Sequence, residues 1–269
     1  MFNYLKKKYT KFVAKRKFSD YGDATSVISI EGIGNINFTC WLNPLEQEKT
    51  ISLSQVNFYR KFLKTGDFVI DIGAHIGDTT LPMALAVGAQ GTVLAFDPNP
   101  HVFKILQKNA DQNRHISNII PLPYAIAVEE GEYSYASSEA SFNNGGISGK
   151  NGKFGLGEKV KGVNLQNFIH TQYPEVSKIS LIKVDAEGYD IQILKSISKL
   201  LDQYKPTLIF ECFKDLSEQD RHDLFNYISQ KGYKINKMDD FEEDAAITPI
   251  PQKQNMLDWK HFDIIAFAE

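Results

Sequence analysis

Seven short apolar runs, at 68–72, 92–96, 118–122, 179–184, 207–212, 232–237 and 261–267, punctuate the chain. Between most of them lie segments whose apolar residues recur at helical spacing. Short continuous apolar runs alternating with helices are the signature of buried parallel strands covered on both faces. The pattern predicts an α/β fold of the Rossmann-like, doubly wound kind, with a mostly parallel, seven-stranded sheet and an antiparallel last strand. Helices are expected over 46–64, 78–87, from Pro100 onward, 189–201 and 217–230. Gly66 suits the left-handed cap after the first of these. Asn99 caps the third, with Pro100 at its first position and Phe103, Leu106 and Ala110 on its buried face. In 189–201, Ile191, Leu194, Ile197 and Leu201 turn inward.

Residues 1–60 read as an N-terminal helix and hairpin extension, and 61–269 as one domain. The hairpin spans 26–42 and turns at Glu31-Gly32-Ile33-Gly34. Residues 2–17 form a basic amphipathic helix with Phe2, Leu5, Tyr9, Phe12 and Val13 on one face and lysines around the other. Such a face suits a membrane or a partner. The expected arrangement is plainer: a helix laid on its own domain with solvated lysines, or a frayed terminus. Residues 125–136 read as a short hairpin about Glu130-Gly131. The stretch 137–159, dominated by Ser, Asn and Gly, reads as a functional lid or a disordered loop. The acidic run Asp239, Asp240, Glu242, Glu243, Asp244 is expected to be solvated and without a role.

The first apolar run flows into Gly73-Ala74-His75-Ile76-Gly77, and the second ends in Asp97-Pro98. In a Rossmann-type βαβ unit the first turn lets a ligand approach bare backbone, here at Gly73 and Gly77. An acid at the tip of the second strand, Asp97, is placed to accept both hydroxyls of a ribose. Three cofactors compete for this turn. A dinucleotide wants Gly-x-Gly-x-x-Gly, and counted from Gly73 the later glycines are replaced by His75 and Asp78. A P-loop needs Gly-Lys-Ser/Thr, whereas Gly77-Asp78-Thr79 carries the wrong charge. S-adenosyl-L-methionine has no phosphate; its sulfonium and ammonium suit a site rich in acids (Asp71, Asp78, Asp97, Asp185). Its carboxylate suits helix N-terminal amides. The charge pattern selects the methyl donor.

Further segments carry a resemblance. Residues 66–79 and 93–100 are followed by Ala125 with Glu130-Gly131. Then come Leu181-Ile182-Lys183-Val184-Asp185-Ala186-Glu187-Gly188 and Pro206-Thr207-Leu208-Ile209-Phe210-Glu211. In order and spacing these resemble the FkbM family of class I S-adenosylmethionine-dependent methyltransferases over about residues 60–215. The resemblance implies cofactor contacts at Asp71, Gly73, Ala74, His75, Gly77, Asp78, Thr79, Asp97, Pro98, Asn99, Tyr124, Ala125 and Asp185. It also implies O-methylation, often of sugars or polyketide-like products. His75 stands where the family usually has Asn, and Asp97 where it often has Glu. His75 can still donate to the cofactor carboxylate.

Methyl transfer is an in-line displacement, so alignment outweighs base catalysis: roughly 7–11 kcal/mol from orientation against about a hundred- to ten-thousand-fold from a base. Asp185, at the tip of the fourth strand, is the expected base, with Glu187 two residues on and Glu211 at the end of the fifth strand. An alternative stays open, in which Asp185 holds the cofactor ammonium and Glu187 caps the next helix. Asp185 and Glu211 also occupy strand ends from which some O-methyltransferases hold a divalent cation, and carboxylates suit Mg²⁺. Carboxylates alone do not establish a metal, which is not the preferred reading. Asn143, Asn144 and Ser148 could hydrogen-bond a polyol acceptor from the polar loop. Asp185-Ala186-Glu187-Gly188 differs from the Asn/Asp-Pro-Pro-Tyr of amino-group methylation on adenine or cytosine, which disfavours that class.

The 269 residues are 42% hydrophobic and 23% charged, with a net charge of −3. No global field therefore draws nucleic acid or anionic lipid. The two cysteines, Cys40 and Cys212, read as buried thiols in a reducing compartment. No apolar stretch approaches the roughly 20 residues of a membrane span. The N-terminal lysines precede no hydrophobic region of a secretory signal. The expectation is a cytoplasmic O-methyltransferase acting on a hydroxyl of a glycan or sugar-containing metabolite. The rivals are a protein or lipid-linked acceptor, a non-catalytic cofactor-binding module, and an NAD oxidoreductase.

Overall fold

The apolar runs become strands with little displacement. The computed structural model describes residues 2–147, 152–186 and 188–269, the side chains of Phe2 and Asn3 excepted. Helix α1 (Phe2–Ala14) leads into the hairpin β1 (Asp23–Ile30) and β2 (Gly34–Trp41), then α2 (Leu53–Arg60). The doubly wound part begins with β3 (Phe68–Ile72), α3 (Thr80–Val87), β4 (Thr92–Phe96), α4 (Pro100–Gln112) and β5 (Ile119–Leu122). A small excursion follows: β6 (Tyr124–Ile126), β7 (Gly131–Ser137) and β8 (Phe154–Val163). The chain then returns through α5 (Leu165–Gln172), β9 (Leu181–Val184), α6 (Asp190–Ser196), α7 (Ser198–Tyr204) and β10 (Thr207–Cys212). It closes with α8 (Glu218–Gln230), β11 (Tyr233–Met238), β12 (Ile247–Pro249) and β13 (Phe262–Ala268).

The main sheet has the order β12-β11-β13-β10-β9-β3-β4-β5. Strands β5, β4, β3, β9 and β10 are parallel, and β13 runs antiparallel between β10 and β11. The sheet thus has eight strands where seven are expected. The addition, β12, is an exposed three-residue edge strand ending in Pro249, with no apolar run to announce it. Two cores flank the sheet. One packs α2, α3, α4 and the hairpin against Val69, Val93 and Ala95. The other packs α5 to α8 against Ile70, Ile72, Leu94 and Ile182. Each such Val, Ile or Leu contributes about 1.5–3 kcal/mol on leaving water, which makes the strand tips stiff supports.

Several expectations shift. The 46–64 helix starts only at Leu53, because Ser52 and Gln55 form a capping box (Ser52 Oγ from Gln55 N, 3.0 Å; Gln55 Oε1 from Ser52 N, 2.9 Å). The 189–201 helix breaks at Ile197 into α6 and α7, with Ile193 and Leu200 buried and Ile191 only half-buried. On α4 the buried face adds Val102 and Ile105, while Phe103 is half-buried. Residues 125–136 are not a hairpin: β6 and β7 each pair with β8, which lies between them and draws 154–159 out of the expected loop. Helix α5, capped by Asn164, lacks a run long enough to have been read.

The hairpin is docked by side-chain amides. Asn109 on α4 accepts from Thr39 N at 2.7 Å and donates to Thr39 O at 3.0 Å and Ile76 O at 2.8 Å. One turn later Asn113 repeats the exchange with Asn37 (3.0 and 2.8 Å). Both asparagines are buried, so these bonds satisfy polar groups that burial would otherwise leave orphaned. The acidic run is also engaged. Glu242 accepts from Ser52 Oγ at 3.3 Å and Glu243 from Asn57 Nδ2 at 2.9 Å, while Phe241 packs on Phe58 and Tyr59. Four of its five acids, Asp239, Asp240, Glu243 and Asp244, are exposed as expected, and the run also ties to α2 through these contacts.

Candidate active site

Winding reverses between β3 and β9, and in open α/β sheets ligands sit beyond the carboxyl ends of the strands at such a point. A cavity of about 670 Å³ opens there, of the size that suits a small-molecule ligand. Its floor is the tips of β3, β4 and β9. Its outer wall is formed by residues 45–49, 143–147, the edge of β6, and Lys11 and Lys15 of the N-terminal segment.

Asp97 projects from the tip of β4 and is 6% exposed. Its Oδ2 accepts from His75 N at 2.8 Å and its Oδ1 from Asn99 N at 2.9 Å. Burial pushes its carboxyl up to about 7, against those two amides, which favour the ionised form. Each oxygen keeps a further acceptor position. His75 delivers its amide from a left-handed backbone (φ +50°). Asn99 in turn caps α4 by accepting from His101 N at 3.1 Å, so one short segment fixes both the acid and the helix behind it.

Lys183, on the floor, is 3% exposed and lies 3.4 Å from both Asp71 Oδ1 and Asp185 Oδ2. Burial opposes its charge, but the Asp71 and Asp185 carboxylates outweigh burial and hold the ammonium above the ordinary lysine value. Asp71 is fully buried and also accepts from Thr80 Oγ1 at 2.6 Å and Thr79 Oγ1 at 3.3 Å. Asp185, by contrast, keeps about half of its side chain exposed and lines the cavity.

The rim is a polar cluster. Lys49 Nζ is 3.0 Å from Glu46 Oε1, 3.0 Å from Asp78 Oδ1 and 3.2 Å from His75 Nδ1, while His75 Nε2 is 3.6 Å from Glu46 Oε2. Burial and then Lys49 lower the His75 pKa, so the neutral ring accepts from Lys49 at Nδ1. For Asp78, burial pushes upward, but the Lys49 ammonium, 3.0 Å away, brings the carboxyl below its usual value.

Over residues 71–235 the sequence matches the methyltransferase FkbM domain, and the match takes in every strand tip just described. The chain belongs to this family. It is a methyltransferase. A hexuronic acid methyltransferase, AglP of Haloferax volcanii, is 27% identical over 177 residues, covering 65% of this chain and 69% of that one. The methyltransferase sdnD of Sordaria araneosa is 26% identical over 166 residues, 51% of this chain and 62% of that one. Among solved structures, methyltransferase FkbM from Methylobacillus flagellatus KT shares the fold at a TM-score of 0.51 and 14% identity, over 78% of this chain. The present chain spans about half the length of that protein (48%).

In this FkbM methyltransferase Gly73, Ala74, His75, Asp78, Thr79, Asp97, Pro98, Asn99, Tyr124, Ala125, Asn143, Asn144 and Asp185 all line the cavity. Three expected residues do not. Asp71 lies beneath the floor, bound to Lys183 and Thr80. Gly77 is turned away, and a Cβ there would meet Leu106 Cδ1 at 3.0 Å. Glu211 stands on β10, two strands from β3, and its carboxylate meets His261 of the 260s segment. Glu187 and Ser148 fall outside the described residues. Gly73 needs its bare backbone for a reason internal to the fold: at φ +77° its missing Cβ would lie 1.9 Å from the Asp185 carbonyl oxygen. The side chain of His75 is engaged by Lys49 and Glu46, and only its amide points to Asp97.

Lys183, Glu46, Lys49 and Glu139 line the cavity without having been singled out. Lys183 had a signal, since a lysine inside the apolar run Leu181–Val184 demands a buried partner. Glu46 and Lys49 had none, because they reach the site from a loop that precedes the doubly wound part. Among the described residues no group of three or more His, Cys, Asp or Glu is arranged to hold a metal ion. No helix among them is long and apolar enough to cross a membrane.

Proposed function

We propose that the chain is an S-adenosylmethionine-dependent O-methyltransferase acting on a hydroxyl of a glycan or sugar-containing metabolite. The observation that carries the donor is Asp97: a buried carboxylate, held on both oxygens by backbone amides and facing a nucleoside-sized cavity. Burial makes its charge costly, and two donated hydroxyls would relieve that cost. Asp97 would take the ribose hydroxyls, with Ala74, Pro98, Asn99, Tyr124 and Ala125 flanking the nucleoside. The donor brings a methyl group already activated on its sulfonium. Asp78 and Asp185 supply negative charge toward its cationic centres, while Lys183 balances the acids below.

Asp185 is the group we assign to the acceptor hydroxyl, because it is the floor carboxylate that keeps exposed oxygen toward the cavity. It accepts the proton as the oxygen attacks, and the Lys183 ammonium lies 3.4 Å from it. Asn143 and Asn144 would hydrogen-bond the acceptor's other hydroxyls. A sugar acceptor is supported by this polar wall and by the similarity to a hexuronic acid methyltransferase.

Isothermal titration should show binding of S-adenosylhomocysteine, strongly weakened by Asp97→Ala. A labelled methyl group should pass to a hydroxyl in a panel of glycosides and hexuronides. Unchanged affinity in Asp97→Ala would remove the ribose assignment, and label appearing on protein instead would remove the sugar.

A further inference from the structure

Helix α1 is not laid on the domain as expected. Only its last turn touches it: Ala14 is buried, Lys11 and Val13 are half-buried, and residues 4–10 are exposed. Leu5 is 56% exposed, Tyr9 69% and Phe12 52%. At about 100° per residue, Leu5, Tyr9, Phe12 and Val13 fill an arc of roughly 100°, bordered by Lys8 on one side and Lys6 on the other. Ala14, the docked residue, lies nearly opposite. The domain therefore holds the helix by its back and presents the apolar stripe outward.

Charge points to what covers the stripe. Lys6, Lys7, Lys8, Lys11, Lys15, Arg16 and Lys17 fall within twelve residues, and no acid occurs before Asp20, although the whole chain is net −3. Among the described residues only Lys15 of these finds a carboxylate, Glu139 at 3.8 Å. Arg16 lies over the Phe12 ring at 3.7 Å and sets a cation against the end of the apolar stripe. An apolar stripe with aromatic rings, flanked on both sides by long lysines, matches a bilayer interface: the rings enter the headgroup boundary while the lysines stretch to lipid phosphates. The 13 residues are too short to cross, so the helix lies flat.

We propose that α1 binds the surface of an anionic phospholipid bilayer. The claim is independent of the reaction and acceptor proposed above, since it needs neither donor nor substrate. The back of α1 carries Lys11, and the turn after it Lys15, to the cavity mouth, so a seated helix sets that mouth beside the lipid.

The test is cosedimentation of the full chain with vesicles of phosphatidylglycerol mixed into phosphatidylcholine, and with phosphatidylcholine alone. Binding to the anionic vesicles should exceed binding to the neutral ones about tenfold or more, and should fall away in molar salt. Leu5→Ser with Phe12→Ser, and separately Lys6→Glu with Lys8→Glu, should each reduce binding about tenfold. An unchanged melting temperature and unchanged S-adenosylhomocysteine titration would show that these variants remain folded. Equal binding to both vesicle types overturns the proposal, as does wild-type binding in folded Leu5→Ser/Phe12→Ser. Concentration-dependent self-association that these substitutions abolish, without vesicle binding, overturns it in favour of a second copy.

Discussion

The floor and the outer wall of the cavity are built on opposite principles. On the floor, Gly73, Asp97, Lys183 and Asp185 sit at adjacent strand tips, tied by ladder bonds such as Asp185 N to Ile72 O at 2.9 Å and Gly73 N to Phe96 O at 2.9 Å. Their positions follow from a sheet that is stable for its own reasons. The outer wall collects Lys49, Asn143, Asn144 and Lys15 from three unrelated segments and holds them by side-chain contacts near water. The floor is stiff and nearly saturated with partners. The wall can change its residues without disturbing the sheet. A donor common to many reactions belongs on the first, and an acceptor peculiar to one enzyme on the second.

The largest expected effect tests the stiffness of the floor. Gly73→Ala forces a methyl into the Asp185 carbonyl, and should cost about 5 kcal/mol or prevent folding, read by chemical denaturation. Stability within 1 kcal/mol of wild type would mean that the strand tips yield and that the contrast fails. Next comes Lys183→Met, which leaves Asp71 buried without its cation. A loss of about 3–5 kcal/mol is expected. Adding Asp71→Leu to that variant should recover much of it.

Asp97→Asn separates binding from folding. S-adenosylhomocysteine should bind about 2 kcal/mol more weakly, roughly thirtyfold. The pH dependence has a definite sign. With its carboxyl raised to about 7, the folded chain binds more protons than the unfolded chain between about pH 4 and 7. This residue's contribution to stability is therefore full below that window and is lost as pH climbs through it. Ligand affinity runs the other way, because the ionised carboxylate accepts hydroxyls. Titration at pH 6 and pH 8 should show up to about a tenfold gain at the higher value, absent in Asp97→Asn.

The smallest effect belongs to the wall. Asn144→Ala should leave stability within about 0.5 kcal/mol and donor affinity within about twofold, while raising the acceptor KM about three- to tenfold. A matching loss in donor affinity would show that wall and floor are one unit.

The same division governs what the sequence reveals. The strands β3, β4, β5 and β10 and the cap at Asn99 are local, written in apolar runs and one Asn-Pro step, and each falls within a residue or two of expectation. Asp97 was legible because a strand end and an acid are adjacent in the chain. Glu211 was misplaced because the same rule says where a strand ends but not how far along the sheet it stands. Lys49 and Glu46 were illegible, since they meet His75 and Asp78 only after a hairpin has docked on α4. The β6-β8-β7 order was missed because long-range pairing overrode an attractive local turn at Glu130-Gly131.

Asn109 has a consequence for how the molecule can be cut. Its single amide nitrogen is shared between the hairpin at Thr39 and the glycine turn at Ile76. Trimming the first fifty residues as a dispensable leader would strand that group against the turn carrying His75, and would remove Glu46 and Lys49 nearby. A shortened protein would then look like a poor enzyme while every canonical-looking strand stayed intact. Those engineering a minimal catalytic unit should set the boundary ahead of β1, even though no residue of that hairpin touches the cavity.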